Sequence, residues 1–161
     1  MIKKSFIVMA AVCMFGSSCS TDSDKEIFSE NSLVGTWVIS DFTREESSEV
    51  SLPQEIAKNL IDQGCKIITY TFNADDTFVG KDKLNYFVIE SNGAGIEVDC
   101  PEETDTLVGA WDLDGDQLTI TDPTGGKTVI TVDLNGNTLI IAGEDIDEGN
   151  YEGLDVVFTK N

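Results

Sequence analysis

A repeated turn between alternating strands constrains the fold of this chain more than any other feature. The segment Asp112–Ile120 aligns with Asp133–Ile141, twenty-one residues later. In each copy an Asp-Gly or Asn-Gly step separates runs of alternating apolar and polar residues, which is the strongest short-range signal of a β-hairpin. Two consecutive hairpins make strands that are neighbours in sequence neighbours in the sheet. The repeat therefore predicts an antiparallel meander.

Similar alternation extends along most of the chain. Leu33–Trp37 is a small-residue turn that runs into a tryptophan at the first strand, and Gly109–Trp111 echoes it. We interpret the first copy as the opening of a β-barrel whose floor is sealed by Trp37. The predicted strands are 38–42, 66–72, 77–80, 86–89, 96–99, 106–113, 117–121, 127–134, 138–143 and 154–160.

One helix is predicted between the first two strands. Ser51 is suited to cap it, Gln54 stands three residues later as in a capping box, and Gly64 is suited to end it. Its apolar stripe consists of Leu52, Ile56 and Leu60. Such a helix lies over a sheet or over a barrel mouth, either as a simple packing helix or as a lid.

The first eighteen residues are a targeting segment. Lys3 and Lys4 form a basic start, and Phe6–Phe15 is an apolar run too short for a permanent membrane span. Gly16–Cys19 resembles the lipobox at which bacterial lipoproteins are cleaved and acylated, for example with palmitate, so Cys19 is the expected lipid attachment site. An ordinary secretory signal with an incidental cysteine is the alternative, and Cys13 is a weaker candidate because the bulky Val12 precedes it.

Residues 19–32 are predicted to be a flexible tether. Ser20–Glu26 is polar and acidic, and such a segment buries too little surface to fold. Its composition resembles the acidic export signal of lipoproteins on the outer leaflet of the outer membrane; an acidic spacer without that role is the alternative. We therefore expect a lipid-anchored outer-membrane protein with one folded domain at 33–161, and the acidic segment favours its exposure at the cell surface.

The charge of the chain excludes several partners. The whole sequence has 10 basic and 30 acidic residues. Because the targeting segment holds two lysines and no acid, the remainder has 8 basic against 30 acidic residues and a formal net charge of −22. A field of that sign repels nucleic-acid phosphates and anionic lipid headgroups. Nucleic-acid binding is not expected, and membrane contact is expected only through the lipid anchor.

Histidine is absent, which removes the commonest general base and the commonest zinc ligand. Once Cys13 and Cys19 are assigned to the leader and the anchor, Cys65 and Cys100 remain, in an oxidising compartment, to form one disulfide. A redox-active pair is the alternative, although such pairs are usually close in sequence. No catalytic residue, cofactor or metal ligand is assigned.

Two acidic clusters invite a calcium interpretation. Asp112, Asp114 and Asp116 alternate, but Gly115 and Pro123 do not fit the EF-hand spacing, so a hairpin turn is the better explanation. The second cluster is a better place for adventitious calcium, with a solvated loop as the alternative. Its members are Glu144, Asp145, Asp147, Glu148 and Glu152.

Several short motifs together resemble the lipocalin-like lipoproteins of Gram-negative bacteria. These motifs are Leu33–Trp37, Cys65 before the aromatic strand with Tyr70 and Phe72, the turn at Asp75 and Asp76, Gly109–Trp111 with Leu113, Asp116 and Leu118, and the closing Val156–Lys160. The resemblance covers about residues 33–160 and implies an up-and-down antiparallel barrel of about eight strands with one closed end. Gly35 and Trp37 match the lipocalin G-x-W fingerprint. A β-sandwich of the same strand count is the alternative fold.

In lipocalins an arginine after the last strand stacks on the fingerprint tryptophan, whereas here only Lys160 lies nearby. We expect this barrel to bind rather than to catalyse, because the sequence shows many acids but no paired carboxylates of a catalytic cleft. Its ligand is expected to be small and apolar. The alternative is a ligand-free scaffold whose loops contact a protein or glycan. A monomer is expected.

The strand pattern also predicts what fills the barrel. So many large apolar side chains point to a filled floor and a shallow apolar pocket at the open end near the helix. Tyr70 and Tyr86 are the candidate polar contacts of a ligand there. The predicted inward set is Trp37, Ile39, Ile68, Tyr70, Phe72, Phe78, Leu118, Ile120, Ile130, Val132, Leu139, Ile141, Val156 and Phe158.

Overall fold

The structure, a computed structural model, describes residues 30–44, 51–92, 95–147 and 149–161. The described strands are β1 (Gly35–Arg44), β2 (Ile68–Phe72), β3 (Thr77–Asp82), β4 (Ile89–Asn92), β5 (Gly95–Val98), β6 (Asp105–Asp114), β7 (Gln117–Thr121), β8 (Lys127–Asn135), β9 (Thr138–Ala142) and β10 (Leu154–Lys160). The described helices are α1 (Glu30–Leu33), α2 (Leu52–Asp62) and α3 (Glu144–Asp147), and Leu84–Tyr86 is a 3-10 turn.

Eight of the strands close into an antiparallel up-and-down barrel, which confirms the predicted fold over the β-sandwich. The order around the barrel is β1-β10-β9-β8-β7-β6-β3-β2. Closure depends on β1, which pairs with both the last strand and β2: Trp37 lies opposite Lys160 on one side and opposite Tyr70 on the other. A bulge at Ser40 interrupts the β1–β10 register, and bulges increase the local twist that a closed sheet needs.

The two hairpins predicted from the repeat are present. Gly115 and Gly136 have φ angles of 63° and 58°, a left-handed conformation that a residue without a Cβ adopts at little cost. The strands on either side pair in register, with Asp114 opposite Gln117 and Asn135 opposite Thr138. Asp112, Asp114 and Asp116 therefore belong to a hairpin, as the sequence predicted.

The strand predicted at 86–89 is wrong. The chain forms the 3-10 turn there, and β4 begins only at Ile89, where it pairs with β5 in a separate two-stranded sheet. Val88 and Ile89 are 67% and 51% exposed. An apolar run alone therefore does not place a segment in the barrel, because the closed sheet leaves no edge for it to join.

The predicted helix is confirmed as α2. The Ser51 backbone N–H donates to Gln54 Oε1 at 3.0 Å, as expected of a capping box. Ile56 and Leu60 are buried, whereas Leu52, the first residue of the predicted stripe, is 47% exposed. The helix is therefore packed along most of its stripe and uncovered at its first turn.

The two ends of the barrel are built differently. The end with the short turns 73–76, 115–116 and 136–137 is called the closed end. The first and last described residues also lie at this end. The open end carries the long connections 45–67, 83–104 and 143–153 and the shorter hairpin 122–126. The long connections are therefore all at the open end, where they can cover a ligand site.

The predicted disulfide is confirmed at the open end. Cys65 and Cys100 are bonded, with their Cα atoms 5.7 Å apart and 35 residues between them in sequence. The bond joins the connection that contains α2 to the connection that contains the β4–β5 hairpin. An isolated two-stranded hairpin is marginally stable in water, so this covalent link helps to hold it against the barrel.

The predicted leader, Cys19 and most of the tether lie outside the described residues. Within the described residues, no helix has the length and apolar character needed to cross a membrane.

Candidate functional site

The floor of the barrel is built around Trp37, which is completely buried. Its indole Nε1 donates to the Leu33 carbonyl at 2.7 Å, so the buried N–H is satisfied by the segment that enters the barrel. A buried indole needs such a partner, because an unpaired polar group in the core costs about 1–3 kcal/mol. The bond ties α1 to the closed end.

Lys160 lies over the ring of this tryptophan. Its Nζ lies 5.1 Å from the centroid of the Trp37 ring and donates to the Ser32 carbonyl at 2.8 Å. The structure explains why position 35 of the fingerprint is a glycine. Gly35 has a φ of 142°, and a Cβ there would stand 2.5 Å from Lys160 Cε. The glycine leaves the passage through which the lysine reaches the ring.

A layer of aromatic rings lies above the floor. Phe72 contacts Phe78 at 5.2 Å and Trp111 at 5.5 Å between ring centroids, and Tyr70 stacks on Phe158 at 5.0 Å. The Trp111 indole N–H donates to the Asn73 carbonyl at 3.1 Å. All fourteen predicted inward residues belong to this core or pack against it.

A small cavity remains inside the barrel between the aromatic layer and α3. Its volume is about 120 Å³. It is lined by Tyr70, Phe72, Phe78, Leu107, Leu118, Ile120, Thr128, Ile130, Ile141, Asp145 and Ile146. Engineered apolar cavities of about 150 Å³ hold benzene or xenon, so this interior cavity is of the size of one small ring at most.

Tyr70 contributes a hydroxyl to the interior cavity, whose lining also includes the polar side chains of Thr128 and Asp145. Its hydroxyl makes no hydrogen bond with any residue of the described ranges. Burial, followed by the negative charge of Asp82, raises the pKa of Tyr70 above its ordinary value, so the phenol stays neutral. A neutral hydroxyl without a protein partner can donate to a ligand or accept from it.

A second hollow, which we call the mouth pocket, lies at the open end where α2 begins. Its volume is about 230 Å³. It is lined by Leu52, Pro53, Ile56, Leu84, Asn85, Phe87, Ile89, Asp147, Asn150 and Tyr151. The side chains come from three separate connections, one of which also carries Cys100. The predicted apolar pocket near the helix therefore has a counterpart in the structure.

Tyr151 contributes a hydroxyl to the mouth pocket beside the polar side chains of Asn85, Asp147 and Asn150, and it was not predicted from the sequence. It is only 2% exposed and stacks on Phe42 at 5.2 Å between centroids. Its hydroxyl makes no hydrogen bond with the described part of the chain. Burial first, and then the charges of Asp147 and Asp82, raise the pKa of Tyr151 to about 12. It lies in an acidic loop without strand periodicity, so no sequence pattern marks it.

Asp82 carries a negative charge on the inner face of the barrel, although it lines neither hollow. Alternation along β3 places it on the inner face with the buried Phe78, and it lies opposite Ile68, which is completely buried. Its carboxylate accepts from the Leu84 backbone N–H at 3.3 Å. Burial raises the pKa of Asp82, and the charge of Asp105 acts in the same direction.

Tyr86, the other predicted polar contact, lines neither hollow. Its hydroxyl donates to Asp105 Oδ1 at 2.7 Å, and Asn85 Nδ2 donates to the other oxygen of that carboxylate at 2.8 Å. These hydrogen bonds lower the pKa of Asp105 and hold the 3-10 turn against β6.

A larger groove of about 580 Å³ lies outside the barrel, between α2 and the adjoining ends of β1 and β10. Six of its eight lining residues are polar, and one of them is the single arginine of the chain. It consists of Phe42, Arg44, Gln54, Glu55, Lys58, Asn59, Asp62 and Leu154. Lys58 is already paired with Asp41 at 3.0 Å and with Asp62 at 3.5 Å.

The acidic loop near α3 is organised by its own hydrogen bonds. Asp147 accepts from the Gly149 backbone N–H at 3.1 Å and from Asn150 Nδ2 at 2.8 Å. Across the described ranges, no three acidic or cysteine side chains converge into a group that could hold a metal ion.

Comparison with known proteins places this barrel in a family. The family model of the lipocalin-like domain matches residues 33–141. The fold is similar to a lipocalin-like protein from Bacteroides uniformis, with 17% identity, 81% of this chain and 99% of that chain covered, and a TM-score of 0.42. A protein from Bacteroides eggerthii has 15% identity, coverage of 80% and 99%, and a TM-score of 0.41. None of the curated proteins matches the sequence. The family match spans more than half of the chain, and the chain belongs to the lipocalin-like domain family.

Proposed function

We propose that this protein is a lipid-anchored envelope protein whose barrel binds a small apolar ligand at its open end. The observation that carries the proposal is the pair of hollows, each lined mainly by apolar side chains and each with a tyrosine hydroxyl that has no partner among the described residues. Ligand sites are typically apolar clefts with a few placed polar groups. We assign the protein no catalytic step.

The volumes set the class of ligand. Drug-sized ligands occupy sites of about 300–1,000 Å³. The mouth pocket, at about 230 Å³, and the interior cavity, at about 120 Å³, are both smaller. The ligand is therefore a compact molecule of one or two rings, or a short chain. Its affinity is weak, because little apolar surface is available for burial.

Native mass spectrometry of the protein purified from its host tests the ligand directly. We expect a bound species of low mass that is lost on unfolding, and saturable binding of small aromatic alcohols by calorimetry. A fluorescent long-chain fatty acid is the size control and should not saturate either hollow. Absence of both a bound species and saturable binding would leave the barrel as a ligand-free scaffold.

The anchor is a separate part of the proposal and rests on the lipobox-like Gly16–Cys19. Several acyl chains at about 0.8 kcal/mol per buried methylene hold a protein on a membrane, whereas one chain alone is marginal. Cells grown with an alkyne fatty acid should label the wild type and not the Cys19→Ala variant. Label that persists in the variant would refute acylation at Cys19. Protease shaving of intact cells tests surface exposure, and light scattering of the Cys19→Ala form tests the monomer.

A second candidate function is contact with a protein or glycan, and the groove beside α2 favours it. The groove is larger than either hollow and carries Arg44 beside the apolar side chains of Phe42 and Leu154. Binding on a glycan array that is lost with Arg44→Ala and retained with Tyr151→Phe would support this role. The opposite pattern supports the mouth pocket.

A further inference from the structure

We propose that the ligand of the open end carries a protonated amine beside its small apolar body. This inference rests on the proposed function, because it names the chemical class that the same hollows would take. It follows from the charges around the hollows rather than from their shape.

Carboxylates line both hollows, and basic side chains line neither. Asp147 lines the mouth pocket and Asp145 lines the interior cavity, whereas no lysine or arginine belongs to either described lining. The neighbouring lysines are engaged elsewhere: Lys83 Nζ donates to the Pro101 carbonyl, and Lys58 pairs with Asp41 and Asp62. An anionic ligand would be desolvated beside like charges, which is costly.

Asp82 adds a negative charge on the inner face of the barrel, although it lines neither hollow. It forms no ion pair within the described ranges. Its charge also contributes to the raised pKa of both Tyr70 and Tyr151. A half-buried carboxylate without a counter-ion favours a ligand that supplies one.

The tyrosine of the mouth pocket suits the same ligand. Tyr151 is 2% exposed, and its hydroxyl has no partner among the described residues, so it is free to accept a hydrogen bond from an ammonium group. Tyr151 and Phe87 are the aromatic side chains of this lining, and an aromatic ring attracts a cation that lies over its face.

The start of α2 also lines the mouth pocket, and a helix N-terminus usually attracts anions. Here that attraction is weakened. Pro53 has no backbone N–H, the Ser51 N–H is taken by Gln54 Oε1, and Glu55 places a negative charge in the first turn.

Three probes of similar size separate charge from fit: 2-phenylethylamine, 2-phenylethanol and phenylacetate. Calorimetry at neutral pH on the full mature chain, kept in solution by Cys19→Ala, should give about tenfold tighter binding of the amine than of the alcohol, as charge-assisted hydrogen bonds would produce. Phenylacetate should bind more weakly than the alcohol.

Asp82→Asn should reduce the preference for the amine to about threefold and leave alcohol binding unchanged, because the carboxamide keeps the shape and removes the charge. Asp114→Asn is the matched control: it removes the same charge at the closed end, where Asp114 is exposed, and should leave the preference intact. Equal or tighter binding of the alcohol or the acid would overturn the inference and leave the proposed function standing. Binding of none of the three probes would overturn both.

Discussion

The closed end of this barrel satisfies its polar groups internally, whereas the open end leaves some of them unpaired. At the closed end the Trp37 indole, the Lys160 ammonium and the Trp111 indole all donate to backbone carbonyls. The hydroxyls of Tyr70, in the interior cavity, and of Tyr151, at the open end, have no partner among the described residues. At the start of α2, which is also at the open end, Ser51 Oγ is buried without a hydrogen-bond partner. A ligand in the hollows can therefore supply hydrogen bonds that the described residues do not.

The connections between strands also differ between the two ends. Short hairpins join strands at the closed end, and long connections stapled by the disulfide surround the hollows at the open end. Stability and binding are therefore assigned to opposite ends of one barrel, and substitutions can separate the two.

Trp37→Ala should have the largest effect. Removing a completely buried tryptophan from a packed core costs about 3–5 kcal/mol, through lost burial and the cavity left behind. Urea unfolding followed by circular dichroism measures the free energy of unfolding. Leu107→Ala at the rim of the open end is the control, and it should cost less than about 1 kcal/mol because Leu107 is 51% exposed. Equal losses would remove the distinction between the ends.

Loss of the Cys65–Cys100 bond should have the second largest effect on stability. The bond closes 35 residues, and the double Cys→Ala variant should lose about 2–4 kcal/mol because the unfolded chain regains its freedom. Wild type unfolded in the presence of a reductant should match the variant. If the reductant leaves the wild type unchanged, the disulfide is not what holds the open end.

Lys160→Met should cost about 1–2 kcal/mol, since it keeps the apolar stem but removes the cation over Trp37 and the hydrogen bond to Ser32. Lys160→Arg retains the charge and should recover more than half of that loss. The measurement is again the unfolding free energy. A methionine variant as stable as the wild type would show that the lysine is not part of the floor.

Tyr151→Phe should change stability by less than about 0.5 kcal/mol, because no hydrogen bond to a described residue is lost. The same substitution should weaken binding of 2-phenylethylamine several-fold. A large stability loss would instead reveal a partner for the hydroxyl within the protein.

Asp82→Asn should have the smallest effect on stability, with a sign that depends on pH. Burial raises the folded-state pKa of Asp82, so its favourable contribution is present below the unfolded pKa and is lost as pH rises through the folded value. The variant should therefore melt slightly above the wild type at neutral pH and at the same temperature in acid. A variant that melts below the wild type at neutral pH contradicts the assigned shift.

Much of the fold follows from local sequence patterns. Turns such as Asn135–Asn137 and the alternation of Phe72 and Phe78 with polar neighbours determine register, because a one-residue slip would expose the core face. The predicted barrel strand at 86–89 was wrong because periodicity reports burial on one face and not which sheet a segment joins. Its side chains are covered only in part.

The site was less predictable than the fold. Tyr70 was found because it alternates with core residues along β2. Tyr151 and Asp82 were not, since their surroundings are assembled from connections far apart in sequence. Tyr86 was chosen as an aromatic residue near the mouth, but its hydroxyl is already bound to Asp105.

Titration of ¹⁵N-labelled protein with 2-phenylethylamine, followed by amide chemical shifts, tests the central claim that the open end binds the ligand. Saturable shifts are expected at the start of α2, at 84–89 and at 149–153, the segments that surround the mouth pocket. The closed-end turns 73–76, 115–116 and 136–137 should not move. Shifts that do not saturate, or that map to the closed end or to the groove beside Arg44, would contradict the assignment of binding to the open end.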